Sequence, residues 1–115
     1  MKTLDRIFGC LLALGGIGHG FGTYAAYHGD PMALLWALSA SFAVLLLAGV
    51  NLLRTSRPGD RALAWISFAG CLVWIGFVLC FGHLIHNFLD FRFLIHFIVT
   101  AVLALLSLRS ALRAV

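Results

Sequence analysis

Five histidines, His19, His28, His83, His86 and His96, are the side chains of this 115-residue chain best equipped for chemistry. A neutral imidazole ligates metals, relays protons and bonds to neighbouring helices, and in so apolar a sequence each one needs a reason for its place. His19 lies inside Gly15-Gly16-Ile17-Gly18-His19-Gly20-Phe21-Gly22, a run with five glycines. Residues three and four away share a helix face, and for His19 these are Gly15, Gly16, Gly22 and Thr23. The imidazole therefore sits on a strip almost without side chains. The corresponding strip around His96 carries Arg92, Thr100, Ala104 and Ser107, the most polar face of the last apolar run.

Cys80, His83 and His86 form a second pattern, Cys-x-x-His-x-x-His, followed by Asn87, Asp90 and Arg92. Thiolate and imidazole suit zinc or copper. Three residues spread over nearly two turns of one regular helix cannot all reach a single ion, however, so solvation of both histidines at the membrane surface is the plainer expectation. Asp90 is placed to cap the following helix, and Arg92 to pair with Asp90, with a lipid headgroup or with an outer-face partner. Nothing else resembles a catalytic constellation. The glycines of the first run follow no strand and open no new helix, so they are no phosphate loop. Asp5, Asp30, Asp60 and Asp90 fall at the ends of apolar runs or in turns. Proton-coupled export of the kind that small multidrug transporters drive with a membrane-embedded carboxylate is therefore not expected.

The elements that hold these residues follow from composition. Hydrophobic residues make up 63% of the chain and charged ones 10%, with a mean hydropathy of +1.05, which a soluble domain does not sustain. A span needs about 20 apolar residues, and the rare charges and turn residues mark off four such runs. Helices are expected at residues 4–27, 31–53, 62–86 and 92–108. His28-Gly29-Asp30-Pro31 is the first turn, Arg54 to Arg61 the middle loop and Asn87 to Phe91 the last turn. Connections this short give an all-α, single-domain four-helix bundle with up-down-up-down topology. Glycine costs about 1 kcal/mol against alanine in a helix in water. In a bilayer, small residues are instead the surface on which helices pack, so Gly15, Gly16, Gly22, Thr23 and Thr100 are expected to join helices 1 and 4.

Seven of the eight basic residues, all except Arg92, lie at the termini or in the middle loop. The positive-inside rule then places both termini in the cytoplasm, and the net charge of +4 reads as topology, with no nucleic-acid partner. The first run also has the plan of a signal peptide, but it is long enough to span. Cys10, Cys71 and Cys80 fall inside spans, where apolar filling is expected and a disulfide framework is not.

An arginine near the cytoplasmic end of each helix serves as a depth mark. His19 is 13 residues from Arg6, His96 is 13 from Arg109, Trp74 is 13 from Arg61 and Ser41 is 13 from Arg54. At 1.5 Å per residue all four should lie roughly 20 Å above the inner boundary. Three readings of His19 and His96 remain open. They are a hydrogen-bonded contact within the bundle, a haem b or transition-metal site, or a site for a lipid, a quinone or a proton. Haem faces a geometric objection, because helices joined by small residues approach to about 8 Å.

Gly18-His19-Gly20-Phe21-Gly22, Pro31-Met32-Ala33-Leu34-Leu35-Trp36, Asn51-Leu52-Leu53-Arg54 and Asn87-Phe88-Leu89-Asp90-Phe91-Arg92 together resemble the small four-helix inner-membrane proteins of Gram-negative bacteria. The general layout is also similar to DoxX-like proteins. The resemblance implies a bacterial inner-membrane location and this fold, and it supplies no active residues. The expected function is that of a non-enzymatic packing or accessory module in the lipid bilayer, assembling with itself or with a membrane partner protein.

Overall fold

The computed structural model describes residues 2–113, and these form four helices: α1 (Lys2–Tyr27), α2 (Pro31–Ser56), α3 (Arg61–Leu84) and α4 (Phe91–Arg113). All four are long and apolar enough to cross a membrane. There is no strand among the described residues.

Aspartates set three of the four helix starts. A helix N-terminus leaves backbone amides without intrahelical partners, and Asp30 accepts from Met32 N and Ala33 N, both at 3.1 Å, with Pro31 at the first position of α2. Asp60 accepts from Leu63 N at 3.0 Å and starts α3 directly after Gly59, whose φ of +93° suits a residue with no Cβ. Asp90 accepts from Arg92 N at 2.9 Å to start α4. The fourth aspartate, Asp5, is within α1 and does something else, described below.

Neighbouring helices run antiparallel around a ring, α1 to α2 to α3 to α4 and back to α1. The α1–α2 seam shows the register, since Gly9 lies against Leu52, Gly16 against Val44 and Leu45, and Gly20 near Ser41. A Cβ on Gly16 would stand 2.8 Å from Val44 Cγ1, so the two backbones approach as closely as they do because that position is bare. The bundle is 51 Å long and 24 by 21 Å across. One end holds both termini and the α2–α3 loop, here the terminal end. The α1–α2 and α3–α4 turns make the hairpin end.

The packing is polar at its centre and apolar at its rim. Asn51, Thr100, Ser67 and Ser107 are among the largest side chains completely shielded, next to Leu12, Leu103, Val44 and Cys71. Phe21, Trp36, Phe42, Phe77 and Leu105 point outward. That distribution suits a chain whose solvent is hydrocarbon, where outward apolar side chains cost nothing and inward polar groups join helices.

Three helix stops differ from expectation, and α1 starts at Lys2, two residues before its expected start. α2 continues through Ser56, so Arg54 and Thr55, expected in the loop, are helical and buried. Helix α4 runs to Arg113, one further turn than its apolar run. Helix α3 stops at Leu84, two residues early, because His86 adopts φ +51°.

Candidate functional site

Two polar layers cross the bundle at different heights. The layer nearer the hairpin end contains the two histidines picked out by their depth. His19 Nδ1 on α1 is 2.7 Å from Ser41 Oγ on α2, and Thr23 Oγ1, one turn along α1, is 3.4 Å from the same nitrogen. The His96 ring on α4 meets His19 edge-on, with centroids 6.4 Å apart, and lies 5.8 Å from the Trp74 ring on α3. Each helix thus contributes one residue at one level, the same four that counting from the arginines aligns.

Gly15 makes that meeting possible. A Cβ there would stand 3.2 Å from His96 Cε1, so α4 can bring an imidazole against the α1 backbone only at this bare position. The rest of the glycine strip does not form the expected seam with α4. Gly16 packs on α2, and Gly18 and Gly22 have no atom within 4 Å of where a Cβ would be. Thr23 is buried beside His19, and Thr100 is buried one turn from His96. Trp74 Nε1, His96 Nδ1 and Thr100 Oγ1 are buried without a hydrogen-bond partner among the described residues.

The second layer, near the terminal end, contains a pair missing from the candidate residues. Arg54 grips Asp5 with both terminal nitrogens, Nη1 reaching Asp5 Oδ2 at 3.0 Å, and Nη1 also donates to Ser110 Oγ at 2.9 Å. Asn51 Oδ1 accepts from Ser107 Oγ at 3.2 Å and from Arg54 Nη2 at 3.4 Å, and Asn51 Nδ2 donates to Leu47 O and to Cys71 Sγ. Helices α1, α2 and α4 are cross-linked here, with α3 touching through Cys71. A bidentate guanidinium–carboxylate bond is both strong and directional. Arg54 looked like a loop cation and Asp5 like a residue at the end of a span. The available signal was spacing, since Asn51 and Arg54 lie three apart on α2, as do Ser107 and Ser110 on α4. No sequence pattern joins Asp5 to either.

No family model, curated protein or solved structure matches this chain. The chemistry of the site must be judged from its own geometry.

Leu12, Val44, Ala48 and Leu103 pack between the two layers. At the hairpin end, His83 and His86 are exposed with ring centroids 6.0 Å apart. Cys80 is exposed one turn back on α3 and does not join them, and among the described residues no three of His, Cys, Asp or Glu converge on one point. Asn87 Oδ1 accepts from Leu89 N at 2.9 Å. Arg92 donates through Nε and Nη2 to the two oxygens of Asp90, both at 2.9 Å, and lies over the Phe81 ring. The Arg92 guanidinium holds the Asp90 carboxyl down at about 2.

Proposed function

We propose that this chain is a multi-pass protein of the bacterial inner membrane, with both termini in the cytoplasm, acting as a non-enzymatic packing module for a second copy or a membrane partner protein. The observation that carries this reading is the His19 layer. His19 spends its Nδ1 on Ser41, and its ring packs on His96, so the pair ties helices together in the manner of interhelical polar contacts in membranes. The arginine distribution supports the orientation. The apolar rim supports lipid contact over most of the length, and the open flank of Gly18 and Gly22 supports a partner helix there.

A haem b or transition-metal reading of His19 and His96 draws support from one observation, the 6.4 Å between their rings. The contact of His96 with Gly15 leaves no slot for a porphyrin plane within one chain, so that reading needs a rearranged bundle or a site between two copies. Binding of a lipid or quinone carbonyl draws support from the free donor at Trp74 Nε1.

Detergent-purified protein separates these readings. The packing module is colourless, and both His19→Ala and His96→Ala lower its melting temperature. A Soret band lost in either variant would replace it with the haem reading, and unchanged melting in both would remove the structural role.

A further inference from the structure

The α3–α4 turn contains a histidine where the backbone calls for glycine. Helix α3 closes with Asn87 N bonded to Gly82 O and His86 N bonded to His83 O, both at 3.1 Å, while His86 adopts φ +51°. This is the Schellman arrangement, and its left-handed position is usually glycine because a Cβ there is strained. The turn is also packed against the end of α3. Phe88 and Phe93, with ring centroids 5.3 Å apart, press on Gly82 so closely that a Cβ there would stand 2.8 Å from both. His83 and His86 are three residues apart, and the left-handed residue ends the helix with both rings on the exposed outer side of the turn. The two exposed imidazoles stand with centroids 6.0 Å apart.

We propose that His83 and His86 form a binding site for one divalent transition-metal ion of the copper or zinc class, at the hairpin end of the bundle. Metal–imidazole bonds of 2.0–2.1 Å put two rings on one ion with centroids roughly 4.5–5.3 Å apart at bond angles of 90–110°. The observed 6.0 Å exceeds that, and rotation of the two exposed side chains about their χ angles closes the difference. Imidazole is a good ligand for both metals, and water completes the coordination because both rings are exposed. Cys80 is not a ligand, since no third metal-binding side chain converges with the pair. The site is independent of His19, His96 and the direction in which the bundle crosses the membrane.

The test uses tag-free full-length protein in detergent, titrated with Cu2+ and followed by calorimetry and electron paramagnetic resonance. One ion per chain is expected, with the signature of two equatorial nitrogens. His86→Gly fits the left-handed backbone better, so it should keep or raise the melting temperature while weakening Cu2+ binding at least tenfold, as His83→Asn should. Zn2+ should compete for the same site. The proposal is overturned if binding is unchanged in both variants, if the wild type shows one nitrogen or none, or if the wild type binds no Cu2+.

Discussion

Asp90 has two roles, and both lower its pKa. It caps α4 by accepting from Arg92 N, and it binds the Arg92 side chain through both oxygens. Both bonds favour the carboxylate, and its pKa falls from 3.8 to about 2, with the Arg92 side chain as the largest cause. A carboxyl depressed on folding adds stability that is complete above its unfolded value and disappears as pH falls through the folded one. The contribution of Asp90 should therefore fade between about pH 4 and pH 2. Following its carboxyl carbon by NMR should give a midpoint near 2 in the wild type and a return toward the ordinary value in Arg92→Gln. A wild-type midpoint near 4 would mean that the fork is absent in solution. At the same scale, Asp5 and Arg54 depend on each other. Removing one partner of a buried ion pair costs about 3–5 kcal/mol, whereas replacing both with apolar groups is often neutral. Asp5→Asn should accordingly destabilise the protein by roughly 3 kcal/mol, the low end of that range, because the pair sits near the end of the bundle. The double variant Asp5→Leu with Arg54→Met should recover most of the loss. Equal damage from the single and double variants would show that the two residues act separately.

At the scale of helices, the glycines of α1 divide into two classes that the sequence does not distinguish. Gly9 and Gly16 are bare because Leu52, Val44 and Leu45 of α2 occupy the space, whereas Gly18 and Gly22 face nothing within the chain. Gly16→Leu must push α2 away or distort it, and overpacking of this kind costs about 1–3 kcal/mol. Gly22→Leu should leave the melting temperature of the isolated chain unchanged. If a second copy or partner helix packs on that flank, Gly22→Leu should instead shift the oligomer distribution seen by light scattering. A large loss of stability in Gly22→Leu under conditions where the protein is monomeric would contradict the packing described. The helix ends teach a related lesson. The capping aspartates Asp30 and Asp90 were legible because a helix start has a local signature. Of the three stops that differ, two depend on side-chain contacts that no local signature announces. Arg54 stays helical with Asp5 and Ser110 receiving its guanidinium, and α3 ends at the left-handed His86 with Phe88 and Phe93 packed on Gly82.

For the molecule as a whole, the four helices could be read from hydropathy, and the common level of His19, Ser41, Trp74 and His96 from a constant rise per residue. Both depend on one-dimensional regularities. The Asp5–Arg54 layer could not be read in that way, because it joins residues 49 positions apart with no periodicity between them. That pair also changes the charge argument for orientation. Arg54 is one of the seven basic residues counted at the terminal end, and it is now bound to a carboxylate inside the bundle. Lys2, Arg6, Arg57, Arg61, Arg109 and Arg113 remain, all exposed, against Arg92 alone at the hairpin end, where Asp90 holds it. The asymmetry thus survives the loss of Arg54, and it still supports the proposed orientation with the terminal end in the cytoplasm. Single cysteines introduced at Ser56 and Gly29, both exposed and at opposite ends, test this in a background with Cys10, Cys71 and Cys80 replaced. A membrane-impermeant thiol reagent applied to intact cells should label Gly29→Cys and reach Ser56→Cys only after permeabilisation. Thr55 would be a poor choice for the same purpose, since it is buried and bonded to Leu52 O. Labelling in the opposite order would mean that the arginines do not orient this bundle.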